Sequence, residues 1–163
     1  MNRTYPDRPF VGVGAVIVDL STPLETCGAR VVLIRRRFEP LAGEWSLPGG
    51  VVEAGETLEA CVAREMGEET GLEVVIGPVI DVFDRITHDD EGRVRYHYVL
   101  VDYLCWPSAG TLRAGSDADA AVWADPSDLS AYHLTGKASA VIARALELAR
   151  GTRSLAATER EGR

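Results

Sequence analysis

The chain has 163 residues, 46% of them hydrophobic and 26% charged, with a formal net charge of −8. That is enough apolar material for one continuous core at a length typical of a single domain. The negative balance excludes a long polynucleotide as partner, because sequence-independent affinity for a phosphate backbone needs clustered Lys and Arg. No apolar run approaches the roughly 20 residues that span a bilayer, and residues 1–6 carry no signal-like stretch, so a cytoplasmic protein without a membrane partner is expected. Cys27, Cys61 and Cys105 form no C-x-x-C pair. They are expected as buried free thiols, not as a disulfide framework or zinc ligands.

In chain order, residues 10–19 predict a valine-rich strand interrupted by Gly12 and Gly14, where backbone passes close to other backbone or to a ligand. Turn residues at 21–28 lead into a second strand at 30–37, so a hairpin is expected. A loop bearing glycines and Pro48 fills 39–55. Thr57 suits an N-cap, helix formers run from Leu58 to Glu69, and Gly71 supplies a stop. Strands at 73–83 and 94–105 flank a polar turn at 89–92, and a short strand is expected at 120–124. A turn or helix start follows at 125–128, then an amphipathic helix at 137–150. The fold class expected is α/β, with two helices flanking a mixed sheet in one domain, 1–150. Residues 151–163 turn polar and charged and are expected to fray or to be disordered.

The chemistry is concentrated in Gly50 to Leu72, GVVEAGETLEACVAREMGEETGL. Between Glu53 and Glu73 there are seven acids, and Arg64 is the only base. Glu65, Glu68 and Glu69 fall at i, i+3 and i+4, so their carboxylates project within an arc of about 100° on one helix face. Like charges at this spacing cost a helix about 0.2–0.5 kcal/mol per pair, and no lysine is interleaved. A hard divalent cation would relieve them: magnesium is the expected ion and manganese the alternative, since both favour clustered oxygen ligands together with substrate phosphates. A merely solubilising acidic face would not require the tight loops that Pro48-Gly49-Gly50 and Gly71 imply.

This segment resembles the Nudix box, G-x5-E-x7-R-E-U-x-E-E-x-G-U with U apolar. Gly50, Glu56, Arg64, Glu65, Glu68, Glu69 and Gly71 supply the fixed identities, and Met66 and Leu72 the apolar ones. Seven such identities arise by chance about once in 10⁸ placements, which sets the match apart from an ordinary charge run. The resemblance implies an α/β/α sandwich around a mixed sheet, with the box as a loop-helix-loop. It implies that Glu65, Glu68 and Glu69 ligate metal, that Arg64 orients a carboxylate, that Glu56 braces the loop, and that Gly50 and Gly71 are structural. The reaction it implies is hydrolysis of a phosphoanhydride by water, with cations bridging the phosphoryl oxygens.

The resemblance implies a general base that is either Glu65 or an acid on the loop 115–120. Many relatives carry a glutamate three residues before the tryptophan that corresponds to Trp123; here that position is Ala120, which leaves Asp117 or Asp119 to complete the metal site. Similarity to ADP-ribose pyrophosphatase-like chains makes ADP-ribose the lead substrate, giving AMP and ribose 5-phosphate. The alternatives are a nucleoside triphosphate pyrophosphohydrolase acting on oxidised nucleotides and a non-catalytic nucleotide sensor. Substrate contacts are expected from Arg36, from Gly50, from Arg95 on a strand face shared with His97, and from Trp45, which suits packing beneath the loop still better. The resemblance also brings the expectation of a homodimer.

Overall fold

The computed structural model describes residues 3–21, 28–39, 41–115 and 117–161. Strand β1 (Phe10–Asp19) is central. Its outer end pairs antiparallel with β2 (Arg30–Arg36), so the expected hairpin is present, though turn residues 22–27 lie outside the described residues. The stretch expected as loop contains two short strands, β3 (Trp45–Ser46) on β2 and β4 (Gly49–Val51) on β1. Helix α1 (Leu58–Thr70) follows. The hairpin β5 (Leu72–His88) and β6 (Val94–Gly110) comes next, then β7 (Ala118–Ala124). Pro126–Tyr132 forms a 3-10 segment, and α2 is Gly136–Glu161.

The sheet order is β3-β2-β1-β6-β5, with β4 also on β1 and β7 also on β2. The β1–β6 pair is parallel and the other pairs are antiparallel, which makes the sheet mixed. Alternation along β1 divides the core into two layers. Val13, Ala15 and Ile17 pack with Cys61, Val62 and Met66 of α1. Val16 and Val18 pack with Val141, Ile142, Ala145 and Leu146 of α2. The result is the expected helix/sheet/helix sandwich.

Helix α1 is bounded as its sequence predicts. The Thr57 side chain accepts from the Ala60 N–H at 3.1 Å, and Gly71 adopts φ 71°, a left-handed stop that a side chain would strain. Helix α2 departs from expectation by continuing to Glu161 instead of ending near residue 150. A lone Gly151 costs a helix only about 1 kcal/mol, and the Ala, Leu, Glu and Arg residues beyond it are good helix formers. Strands β5 and β6 run five residues beyond their predicted ends, to His88 and Gly110, because each supplies the other's backbone partners across bulges. Cys61 and Cys105 are buried free thiols; Cys27 lies outside the described residues.

Met66 is fully buried where α1 meets the sheet. Met66→Ala should lower unfolding stability by about 2–5 kcal/mol, the range for deleting a buried side chain of this size. Urea denaturation followed by circular dichroism measures this, and a midpoint unchanged from the parent would show that α1 is not anchored there.

Candidate active site

The box helix begins and ends against the sheet, and one guanidinium organises its acidic face. Arg64 grips Glu56 with two hydrogen bonds, Nε to Oε1 at 2.8 Å and Nη2 to Oε2 at 3.0 Å. Its Nη1 donates to Glu65 Oε1 at 2.8 Å and to Glu68 Oε2 at 3.3 Å, and Nη2 reaches the Val51 carbonyl at 3.3 Å. The guanidinium therefore ties the incoming loop to the helix and orients two box carboxylates at once. Its hydrogen bonds pull the Glu56 carboxyl down to about 2, with the Glu53 amide adding to the effect.

Glu69 lies deeper. It is 6% exposed and accepts from the Gly49 N–H at 2.8 Å. Burial raises its carboxyl to about 7, with neighbouring Glu65 and Asp117 adding to the rise while the Gly49 amide and Arg36 oppose it. Burial likewise raises Glu65, against the pull of Arg64. A Cβ at Gly50 would land on the Glu65 carboxylate, so a larger residue there would push that carboxylate off Arg64.

The segment before β7 docks on the end of α1. The amides of Arg113 and Gly115 donate to the carbonyls of Thr70 and Glu69 at 2.9 and 3.0 Å, satisfying acceptors that a helix C-terminus leaves open. This brings Asp117 to a depression of about 370 Å³ that it shares with Glu69, Arg36 and Tyr96. Asp119 is engaged elsewhere, in an ion pair with Arg37 at 2.9 Å.

The metal-ligand set expected from the sequence thus lies in one region. Among the described residues, however, no three of these acids converge on a single point. Glu65 and Glu68 each turn one oxygen to Arg64, and Glu69 turns one to Gly49, while no described residue donates to the second oxygen of any of the three. The donor set suits a hard divalent cation. It is all oxygen, and two of its carboxyls, Glu69 buried and Glu65 partly so, have raised pKa values that a nearby positive charge would bring back down.

Beside this cluster opens a groove of about 540 Å³. Its lining includes Arg36, Trp45 and Gly50, as expected, together with Arg85, Tyr98 and Asp102. Trp45 lines the groove and packs edge-on against Tyr132, with ring centroids 5.1 Å apart. Arg95 is not brought to the groove. Tyr98, Leu100 and Asp102 line it, so alternation along β6 puts Arg95 and His97 on the other face, with the Arg95 guanidinium 5.5 Å from the Tyr96 ring centroid.

Sequence reasoning passed over Arg85, Tyr98 and Asp102. The one available signal was an acid, Asp102, inside the otherwise apolar run VLVDYLC. It is 5% exposed, and burial raises its carboxyl from 3.8 to about 6, with Asp81 adding to the rise and Lys137 opposing it. Between those two pH values the folded chain holds a proton that the unfolded chain has released. Folding stability therefore falls as pH rises through about 6. Asp102→Asn should remove on the order of 1 kcal/mol of the stability difference between pH 5 and pH 7.5. Urea titrations of parent and variant at both pH values test this, and identical pH dependence in the two proteins would refute it.

Comparison with known proteins agrees with this arrangement. The NUDIX domain family model matches residues 9–146. The chain is 37% identical over 100 residues to an ADP-ribose pyrophosphatase of Methanocaldococcus jannaschii, a match spanning 61% of this chain and 57% of that protein. It is 34% identical over 116 residues to a MutT-like protein of Streptomyces ambofaciens, spanning 68% of this chain and 70% of the relative. Among solved structures, a MutT NUDIX hydrolase from Burkholderia pseudomallei superposes with TM-score 0.69 at 31% identity, covering 85% of this chain and 98% of that one. The box residues around Arg64, the mixed sheet between two helices and the family match together show that the chain belongs to the NUDIX family.

Proposed function

We propose that the protein is a pyrophosphohydrolase that cleaves the phosphoanhydride of nucleoside diphosphate derivatives with the help of Mg²⁺ or Mn²⁺. The observation that carries this reading is the cluster of Glu65, Glu68 and Glu69 held by Arg64 and the Gly49 amide, against Gly49 and Gly50, which line a groove together with Arg36 and Arg85. Glu65, Glu68, Glu69 and Asp117 would hold the cation, which when bound neutralises charge on the phosphoryl oxygens as the bond breaks.

The chain's own residues supply the rest. Arg64 fixes two of the carboxylates, so little reorganisation is needed as charge develops. Arg36 and Arg85 offer positive charge to the phosphates. Water is the nucleophile, and Glu65 keeps an oxygen to take its proton. ADP-ribose is the first substrate to test, on the strength of likeness to the archaeal relative named for it.

No helix among the described residues is long and apolar enough to cross a membrane. The buried free thiols of Cys61 and Cys105 suit the reducing cytoplasm in which we place the protein. A homodimer belongs to the same proposal. The edge strand β5 exposes Val75, Val79, Val82 and Ile86, apolar side chains that a second copy would cover.

Incubation with a nucleotide panel and Mg²⁺, with products resolved by chromatography, should give AMP and ribose 5-phosphate from ADP-ribose. Release of pyrophosphate from a nucleoside triphosphate would instead favour the nucleotide-sanitising alternative, and no product from any nucleotide would sink the reading. Glu68→Gln should lose at least about 10–100-fold in turnover, since even mutations behind the ligands cost a metal site that much; full activity would remove Glu68 from the mechanism. Light scattering should return twice the 17.6 kDa chain mass, and a monomeric mass at working concentration would dispose of the dimer.

A further inference from the structure

The groove lies along a ladder of residues in register across β1, β6 and β5, all of which line it except Phe10 and Asp81 at the ladder's margins. Phe10, Tyr98 and Arg85 form one rung; Gly12, Leu100 and Phe83 form the next; Gly14, Asp102 and Asp81 form the third. One step further along β1 and β6, Val16 and Leu104 are already part of the core beneath α2. The rungs thus run from cationic and polar, through apolar, to acidic, and the acidic rung is the inner end.

That inner rung is unusual in two respects. Like charges directly opposite one another on paired strands are destabilising, and Asp81 takes the direct ion pair, with Lys137 Nζ at 2.6 Å. Asp102 feels Lys137 only at longer range: it accepts no hydrogen bond and forms no ion pair with any described residue, although it is 5% exposed and lines the groove. Gly14 is what admits it, because a Cβ there would strike Asp102 Oδ1. The carboxylate is largely desolvated yet opens onto the groove, so a donor on a ligand lying there can reach it and offset part of its desolvation. The middle rung has the character of a surface for a flat ring. Gly12 leaves the backbone bare, and Leu100 and Phe83 are apolar, so a ring lying there would direct its edge at Asp102.

We infer that Asp102 is the specificity-determining residue for the nucleobase, accepting a hydrogen bond from the exocyclic amino group of a base laid over Gly12, Leu100 and Phe83. This rests on the reading of the groove as a nucleotide site and adds the chemical class of base, one that carries an amino group. Above pH 6 the carboxyl is ionised and can only accept, which matches an amino group and opposes a carbonyl at the same place. The rung holding Arg85 and Tyr98 then faces the sugar and phosphates. The Tyr98 hydroxyl is buried near Arg3 without a well-formed hydrogen bond, so the two offer a ligand oxygen a donor and a positive charge there.

The test is binding of nucleoside monophosphates, which contain no anhydride to cut, by calorimetry on the full chain with Mg²⁺ present. AMP is compared with purine riboside monophosphate, and GMP with IMP, each pair differing by the amino group. In the base type that the protein prefers, the amino-bearing member should bind at least about ten-fold more tightly, the discrimination expected when a buried acceptor is left unpaired. Asp102→Ala should reduce that ratio to within about two-fold. Asp102→Asn, which keeps the shape and loses the charge, should lower it by several-fold and secures the test if the alanine variant does not fold. Equal binding within both pairs, a ratio that survives in both variants, or no binding of any monophosphate overturns the inference. The hydrolase reading stands or falls separately, on whether products appear in the chromatographic assay.

Discussion

Repulsion among three glutamates on one helical stripe is the constraint around which the catalytic end of the molecule is built. Without a counter-charge, Glu65, Glu68 and Glu69 would weaken α1 and resist burial against the sheet. Arg64 answers for two of them, and the Gly49 amide answers for the third. Each of these partners comes with a further attachment. Arg64 also holds Glu56 and the Val51 carbonyl, and Gly49 is paired with Gly14 of β1. The acidic stripe is thereby fixed to the loop before it and to the central strand, and Gly50 has no room for anything larger than hydrogen beside Glu65.

The central strand carries the second level of organisation. Odd-numbered residues of β1 feed the layer beneath α1, and Val16 and Val18 feed the layer beneath α2. Gly12 and Gly14 lie on that same second face but before α2 covers it, and there the sheet becomes the floor of the groove. One surface of one sheet is therefore core at one end and open groove at the other. The change occurs within two residues, between Asp102 and Leu104.

What the sequence disclosed followed from the range of the interactions involved. The ends of α1 were legible because capping is local: Thr57, Ala60 and Gly71 settle them within a turn of helix. The acidic stripe was legible because helical spacing is rigid. Strands β3 and β4 were not, since two- and three-residue strands around Pro48 exist only through partners on β2 and β1. The course of α2 past Gly151 was missed because composition was weighed above helix propensity.

Parity explains the miss at Arg95. Alternation correctly grouped Arg95 with His97, but which face of β6 meets the groove depends on pairing with β1 and on bulges in β5, and neither is encoded nearby. Asp102 was hidden for the same reason, because its significance comes from Gly14 on one side and Asp81 on the other. Asp117 was recognisable as an acid in a turn-rich loop, while its placement beside Glu69 depends on two backbone hydrogen bonds to the end of α1.

Strand geometry also sets the scale of the groove. Tyr98 and Asp102 are four residues apart on a single extended strand, which puts their Cα atoms about 13 Å apart. Backbone positions on a strand paired on both sides cannot slide along it, so the polar and acidic ends of the floor stay that far apart at their roots. Swapping side chains in the groove would change its chemistry and leave the spacing of its rungs unaltered.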